Sequence, residues 1–552
     1  MRRQLHYHTG ESKALSDHSD GHQLRERRRR KAGGLGAIAV LGIIAFALVL
    51  SGTVSRAASR ETVVPARPEG RFPSAPWPGI YAFLDYRHLD PAEYPLVGGY
   101  YIFNWADIEP AQDEYHWDLI DGWLEAEAGL GKPAAIAFTP YNGVCCGGNE
   151  VPSWLFELEP ESWVFCDEAY DDDWAIPRYW HEGYLAHYND FLRAAGERYD
   201  NDPRLTWVGI GTGMYCETWP AENQGAADYT DCLLDAGLTS DLWVQTVNRI
   251  TDMHAQAFPN TPLLLQFAPA FKDRSERIRF TDYAAQKGIG LKHNGLQPDS
   301  GDAVWDSGEG QYDPMFKWGE QVALGWESYN YLMPGEAGTL WGIYSGLNKH
   351  ADYMVLAAGG PDDVIMQEAR RPILEFANAH LGRTLDDTPS VWVALRETER
   401  EGPHLYPQLG NYDFWLYQRD DAPAGRTVPE WNISAHKEGR YTRRSDEATG
   451  NPYMVFDVDD GYLHEVGQGE TISLTVVYYD EGRDTWELQY DAWGGAYKSG
   501  GVIGKGDSGH WLSQNFVLED ALFANRQSGG GDFRLWSRGD GDEYIHFVQV
   551  AR

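Results

Sequence analysis

The sequence predicts an α/β fold, a (β/α)8 barrel, followed by an antiparallel β-sandwich. Three observations predict it. Over residues 79–382, eight short apolar runs alternate with stretches whose apolar residues recur at helical spacing, the pattern of parallel strands joined by crossover helices. Beyond about residue 388 that periodicity stops, and short alternating runs separated by Gly- and Asp-rich turns replace it, the texture of an antiparallel sandwich. A doubly wound open sheet usually carries a Gly-rich phosphate loop after its first strand; here FLDYRHLDPAEYP fills that place.

The elements follow in order. Residues 1–33 form a polar, basic tail that includes RERRRRK, and the chain is uncharged from Ala32 to Ser55. About 20 apolar residues suffice to cross a bilayer as a helix. Residues 34–55 are therefore expected to be a transmembrane anchor or, given the small residues of SRAAS at 55–59, a signal segment that is cleaved. The basic cluster stays on the cytoplasmic side, which puts the rest of the chain outside the cell membrane. Residues 56–78, rich in Pro, Arg and Ser, read as a linker.

The barrel is expected over residues 79–387, with strands at 79–86, 98–105, 134–141, 205–213, 263–269, 288–294, 322–329 and 353–358. Helices are expected at 118–131, 184–199, 241–258 and 372–382. The sandwich occupies 388–552, where YMVFDVDD, TISLTVVYYD, TWELQYDAW, HWLSQNFVL, DFRLWSRG and YIHFVQVAR read as strands.

A formal net charge of −37 argues against nucleic acid or an anionic membrane surface as partner of the folded part. The 22 Trp and 32 Tyr suit core packing and also stacking against sugar faces. Five cysteines lie between positions 145 and 232, with no CxxC pair and no metal-ligand His spacing. No metal and no organic cofactor is expected. Outside the cell the cysteines can pair, for instance Cys216 with Cys232.

Several strand ends carry polar or ionisable groups, as in TPYNG, CETWP, KHNG and WESY. In a barrel the strand ends converge on one mouth, where active sites lie, so a carboxylate at Glu217, costly in a buried strand, becomes useful there. The run WADIEPAQDEYHWDLID, Trp105 to Asp121, resembles a second-strand motif of clan A retaining glycoside hydrolases, the barrel group that includes cellulases, mannanases and β-galactosidases. The resemblance covers residues 79–382 and implies a general acid/base at the end of strand four and a nucleophile at the end of strand seven: by position, Glu217 and Glu327. Where that clan usually has Asn-Glu, this chain has Cys216-Glu217; the clan's Asn binds the sugar 2-hydroxyl.

Glycosidic cleavage needs a proton for the leaving oxygen and a charge or nucleophile opposite the anomeric centre. Glu217 is expected to hold the proton and Glu327 to stay ionised, with Glu336 on the same loop as its rival. Trp105 and Tyr141 are expected to be sugar platforms or core. Asn142, His293 and Asn294 are expected to bind hydroxyls or orient Glu327, and Tyr86 and Arg87 to line the mouth. Glu109 reads as structural, and Trp180-His181, opening a helix, as packing or as part of a loop lining the mouth. The C-terminal region resembles sandwich modules appended to bacterial glycosidases, through residues 439–460 and 529–550, and is either carbohydrate-binding or purely structural. Its DVDDGY turn is either a calcium loop or solvated. The sequence thus points to a glycoside hydrolase acting on an oligo- or polysaccharide. A non-catalytic cell-surface carbohydrate-binding protein and a structural envelope protein are the alternatives.

Overall fold

The computed structural model describes residues 75–144, 146–166, 175–224, 227–267, 270–298, 312–396, 411–430 and 442–552. The basic tail, the apolar segment 34–55 and most of the linker lie outside the described residues. No helix among those described is long and apolar enough to cross a membrane.

Eight strands close a parallel barrel: β1 (Gly79–Phe83), β2 (Gly98–Asn104), β3 (Ala134–Thr139), β4 (Leu205–Ile210), β5 (Leu263–Phe267), β6 (Gly290–Asn294), β7 (Leu324–Ser328) and β8 (Tyr353–Ala357). Each pairs with its sequence neighbours, and β1 closes on β8 with Gly79 opposite Tyr353. The strands are shorter than the apolar runs suggest because the chain turns at their C-terminal ends. Leu84, for example, takes a left-handed φ of 50° directly after β1.

Strand alternation sorts the side chains into two layers. Tyr81, Tyr100, Ala135, Ala137, Trp207, Leu264, Tyr353 and Val355 fill the barrel interior. Ile80, Phe103, Phe138, Ile210, Leu265, Leu291, Trp326 and Leu356 face outward, into the layer under the helices. Small residues make room for large ones inside. A Cβ on Gly325 would lie 3.3 Å from the Lys292 side chain, so the missing side chain of one strand admits the lysine stem of the next.

The longer helices are α1 (Trp117–Gly129), α2 (Glu182–Tyr199), α3 (Ser240–Ala257), α4 (Ser275–Gln286), α5 (Gly335–Leu347) and α6 (Arg371–His380). In α2, Tyr184, Leu185, Tyr188, Phe191, Leu192 and Ala195 recur at three- and four-residue spacing and are buried. The α3 N-terminus is capped by Thr239, whose hydroxyl accepts from the Leu242 amide at 3.1 Å. The segment between β1 and β2 is a loop without a helix.

After α6 come β9 (Val391–Ala394), β10 (Tyr412–Phe414), β11 (Leu416–Gln418), β12 (Val428–Glu430), β13 (Thr442–Arg444), β14 (Tyr453–Val458), β15 (Ile472–Tyr479), β16 (Thr485–Ala492), β17 (Gly495–Gly504), β18 (Trp511–Leu518), β19 (Phe533–Trp536) and β20 (Tyr544–Ala551). They form an antiparallel seven-stranded sheet centred on β20 and a five-stranded sheet in the order β11-β14-β19-β16-β17. Sequence reasoning missed β9 to β13, which are three or four residues each, and β17, whose Gly-rich sequence hides its alternation. The sandwich packs on the barrel through aromatic rings: Tyr344 of α5 lies 5.1 Å from Trp392 and 5.3 Å from Phe547. Asn348 accepts the Asp413 amide.

One disulfide joins Cys166 to Cys232, which corrects the pairing of Cys216 with Cys232. Cys216 is a buried free thiol inside the barrel, and its Sγ donates to the Phe138 carbonyl at 3.1 Å. The DVDDGY turn spends its carboxylates on protein groups: Asp457 meets Arg419 at 2.7 Å, Asp459 accepts the Gly461 amide, and Asp460 accepts from Asn525.

Candidate active site

Glu217 rides on a tightly folded loop after β4. A Cβ on Gly211 would lie 2.0 Å from the Phe138 carbonyl oxygen, and one on Gly213 would lie 2.3 Å from that of Trp219; only glycine fits either place. Tyr215 and Cys216 both take left-handed backbone, with φ of 56° and 65°, which costs about 1–2 kcal/mol per residue. Hydrogen bonds hold the loop against that strain. The Met214 amide donates to Trp219, the Tyr215 amide to Tyr141, the Thr218 amide to Gln266, and the Thr212 hydroxyl to Glu217 O. Trp243 of α3 donates to the Thr218 carbonyl at 3.0 Å. Strain so over-determined is a mark of functional loops.

Glu327 is the penultimate residue of β7 and faces the barrel axis beside Asn294, its register partner in β6. Two groups hold its carboxylate: Tyr329 donates its hydroxyl to Oε1 at 2.5 Å, and the Lys292 ammonium donates to Oε2 at 2.5 Å. Both members of that ion pair are buried, the side chains being 0% and 3% exposed. Lys292 also donates to Asn294 Oδ1 at 2.6 Å and to Gln266 Oε1 at 3.0 Å. Asn294 in turn donates from Nδ2 to Glu217 Oε1 at 2.9 Å. One line of contacts, Glu217–Asn294–Lys292–Glu327, therefore joins the two carboxylates at the C-terminal end of the barrel.

The two carboxyls sit in different electrostatic surroundings. Glu217 is pushed up to about 8, chiefly by burial and further by the Glu327 charge, while Asn294 and Lys292 pull the other way. Glu327 has an ammonium in direct contact. Tyr100 caps the floor of the cluster: its hydroxyl donates to Gln266 at 2.5 Å, its ring centroid lies 5.2 Å from the Lys292 ammonium, and burial raises its phenol well above the usual range.

The other expected residues fall in several places. Asn142 lies in a polar cluster past β2 and β3, donating to Asn104 at 3.0 Å and to Glu150 at 3.2 Å. Tyr86 and Arg87 are exposed beyond β1 and tie its end to the chain after β8, donating to the carbonyls of Gly359 and Ala358. His293 points outward from β6, away from Lys292 and Asn294, and is buried among Phe267, Tyr312 and Trp326. That corrects its expected place at the mouth, since alternation puts neighbours on opposite faces. Trp105 is buried under Tyr184, Tyr188 and Phe191 of α2 and donates to Glu109 at 2.8 Å. Tyr141 is fully buried and donates to Glu222. Neither ring presents a face to solvent, so both belong to the core. Glu109 accepts the Trp105 indole and the Asp113 amide. Glu336 is exposed in the first turn of α5. His181 immediately precedes α2.

Sequence reasoning missed Lys292, Gln266, Tyr329 and Tyr331. Tyr331 is 76% exposed and stacks on Tyr329 with the ring centroids 5.7 Å apart. This makes it an open aromatic face beside Glu327. The signal for Lys292 is the alternation of KHN: if Asn294 faces the axis, so does the residue two before it.

Fold and site together define a (β/α)8 barrel with a pair of glutamates at its C-terminal mouth and a β-sandwich behind it. No protein-family model and no curated protein matches the sequence. Similar solved structures include the catalytic domain of a β-amylase from Paenibacillus polymyxa, with TM-score 0.38 and 11% identity over 50% of this chain and 91% of that one. A β-galactosidase from the psychrophilic Marinomonas ef1 gives TM-score 0.35 and 13% identity over 54% of this chain and 59% of that one. Endo-glycoceramidase II from Rhodococcus sp. gives TM-score 0.31 and 13% identity over 83% of this chain and 90% of that one.

Proposed function

We propose that the chain is an extracytoplasmic glycoside hydrolase that cleaves O-glycosidic bonds of an oligo- or polysaccharide by double displacement, with Glu217 as general acid/base and Glu327 as nucleophile. The observation that carries this is the Glu217–Asn294–Lys292–Glu327 line, which gives two carboxyls at one mouth opposite surroundings. Two carboxyls so divided can serve as proton donor and charged nucleophile in one reaction. A panel of aryl glycosides and polysaccharides tests it. Wild type is expected to hydrolyse at least one, and Glu217→Gln and Glu327→Gln to lose that turnover while folding normally. Release of the substrate's own anomer as first product supports double displacement; the opposite anomer sinks it.

The outer face of the five-stranded sheet is assigned to glycan binding. Support comes from Arg534, whose guanidinium lies 3.7 Å from the Tyr453 ring centroid and 4.3 Å from that of Tyr497. Tyr497→Ala in the full chain is expected to weaken retardation in polysaccharide affinity gels, and unchanged mobility against every glycan counts against the assignment. Residues 34–55 are assigned to the anchor or signal, with the barrel outside. That placement is supported by the basic run before them and by the Cys166–Cys232 bond, of a kind that persists in oxidising compartments. Protease accessibility of the barrel on intact cells tests it.

A glycan-binding barrel without turnover is favoured by one observation: both oxygens of Glu327 are already engaged. Saturable glycan binding with no hydrolysis by wild type would select that alternative.

A further inference from the structure

The double-displacement scheme gives Lys292 no task, although it is the buried cation at the centre of the site. Its ammonium has three N–H bonds, and three oxygens receive them: Glu327 Oε2, Asn294 Oδ1 and Gln266 Oε1. The two amide oxygens are neutral, so Glu327 alone balances its charge in the resting site. A buried cation that loses its counter-ion is strongly disfavoured.

Charge can be followed through the first displacement. At rest Glu217 carries a proton, Glu327 is anionic and Lys292 cationic, a net charge of zero. A Glu327 oxygen then bonds to the anomeric carbon. The bond from that carbon to the leaving oxygen breaks with its electron pair going to the oxygen, which takes the proton of Glu217. Glu327 is now a neutral ester and Glu217 an anion, so the net charge is still zero, but the negative end has moved to the far side of Asn294. That side chain already spans the gap: its Oδ1 accepts from Lys292 and its Nδ2 donates to Glu217 Oε1.

Resting on the hydrolase proposal above, we infer that Lys292 is a counter-ion shared by the two carboxyls, a positioning residue whose compensation passes from Glu327 to Glu217 through the Asn294 amide and returns when water cleaves the ester. Asn294 is the coupling element, and Gln266 holds the ammonium from the floor. The other titratable groups facing the cluster are Tyr100, Cys216 and Tyr329, all raised by burial first of all and so held neutral while Glu217 titrates, and Tyr331, which is open to solvent and whose phenol is also raised.

The test uses the full chain and two independent readouts. Titration of Glu217, followed by carboxyl carbon-13 NMR with Glu217→Gln as the blank, is expected near 8 in wild type. Lys292→Met is expected to move it upward by about one unit or more, and Glu327→Gln to move it downward. With an aryl glycoside that wild type hydrolyses and its 2-deoxy-2-fluoro analogue as trapping probe, Lys292→Met is expected to slow both formation and breakdown of the trapped ester, each by about tenfold or more. Lys292→Arg is expected to restore part of both. If Lys292→Met does not fold, the neutral pair Lys292→Met/Glu327→Gln carries the titration, with an expected position above that of Glu327→Gln alone. An unmoved or lowered titration in Lys292→Met, a double-variant titration no higher than that of Glu327→Gln, or slowing of one step only, overturns the inference. Failure of wild type to hydrolyse any glycoside overturns the hydrolase proposal and the charge transfer with it, whereas the titration still decides separately whether Lys292 couples to Glu217.

Discussion

Asn294 Nδ2 donates to Glu217 Oε1 at 2.9 Å, which ties the last residue of β6 to the loop after β4 on another side of the barrel. An oxygen that already accepts an N–H is the poorer place for a proton, so the acid proton of Glu217 belongs on Oε2. Glu217→Gln is expected to lower turnover of substrates with poor leaving groups by about 10²–10⁴-fold. Glycosides of strongly acidic phenols, which need no protonation to depart, should lose less. Steady-state rates across a series of phenol leaving groups measure the difference.

The same residue sets a pH dependence. With Glu217 raised to about 8, kcat/KM is expected to fall above that pH as the acid proton is lost. Stability follows the same sign. Between the ordinary value of 4.5 and about 8 the folded protein keeps a proton that the unfolded chain has released, so the contribution is complete below 4.5 and is lost as pH rises through 8. Other acids raised to about 7, among them the buried Glu109 and Glu543 and the half-buried Asp413, slope the same way. Denaturant midpoints of wild type and Glu217→Gln at pH 5 and pH 9 isolate the residue; wild type is expected to lose the more stability at the higher pH.

Cys166 and Cys232 are 66 residues apart in sequence. Closing a loop of that length removes chain entropy worth about 4 kcal/mol from the unfolded state. Cys166→Ser/Cys232→Ser is expected to be destabilised by up to about that amount, with turnover at low temperature little changed, since neither cysteine touches the carboxyl pair. Equilibrium unfolding with and without reductant checks it, and a reductant effect on the double variant would assign the stabilisation elsewhere.

Tyr331 offers an open ring beside Glu327, with its inner face on Tyr329. Sugar rings stack on such faces through their C–H bonds. Tyr331→Ala is expected to raise KM for an oligosaccharide about tenfold, equivalent to about 1.4 kcal/mol, with a smaller change for a monosaccharide aryl glycoside. Equal effects on the two substrates would deny it a platform role.

Much of the barrel could be read before any coordinates. Each of the eight apolar runs contains a strand, and the two glutamates singled out by position both face one mouth. Side-chain direction was harder. KHNG drew attention to His293, yet strand alternation turns that imidazole into the outer layer and brings Lys292 inside. Gln266 was hidden in LLLQF, an apolar run in which one amide looks incidental. Trp105 stands in the most recognisable motif of the chain, but it opens a helical turn directly after Asn104, the last residue of β2, and lies buried under α2.

From the sequence alone come the number of barrel strands, the passage from barrel to sandwich, and the glycines that let the Glu217 loop fold so tightly, because these depend on periodicity and on local backbone geometry. Closure of the barrel decided what no local pattern contains. It set Lys292 against Glu327 across neighbouring strands, placed Asn294 between that pair and Glu217, and joined Cys166 rather than Cys216 to Cys232. Such contacts link residues far apart in the chain, and burial makes each charge answer to whichever partner the fold brings within reach.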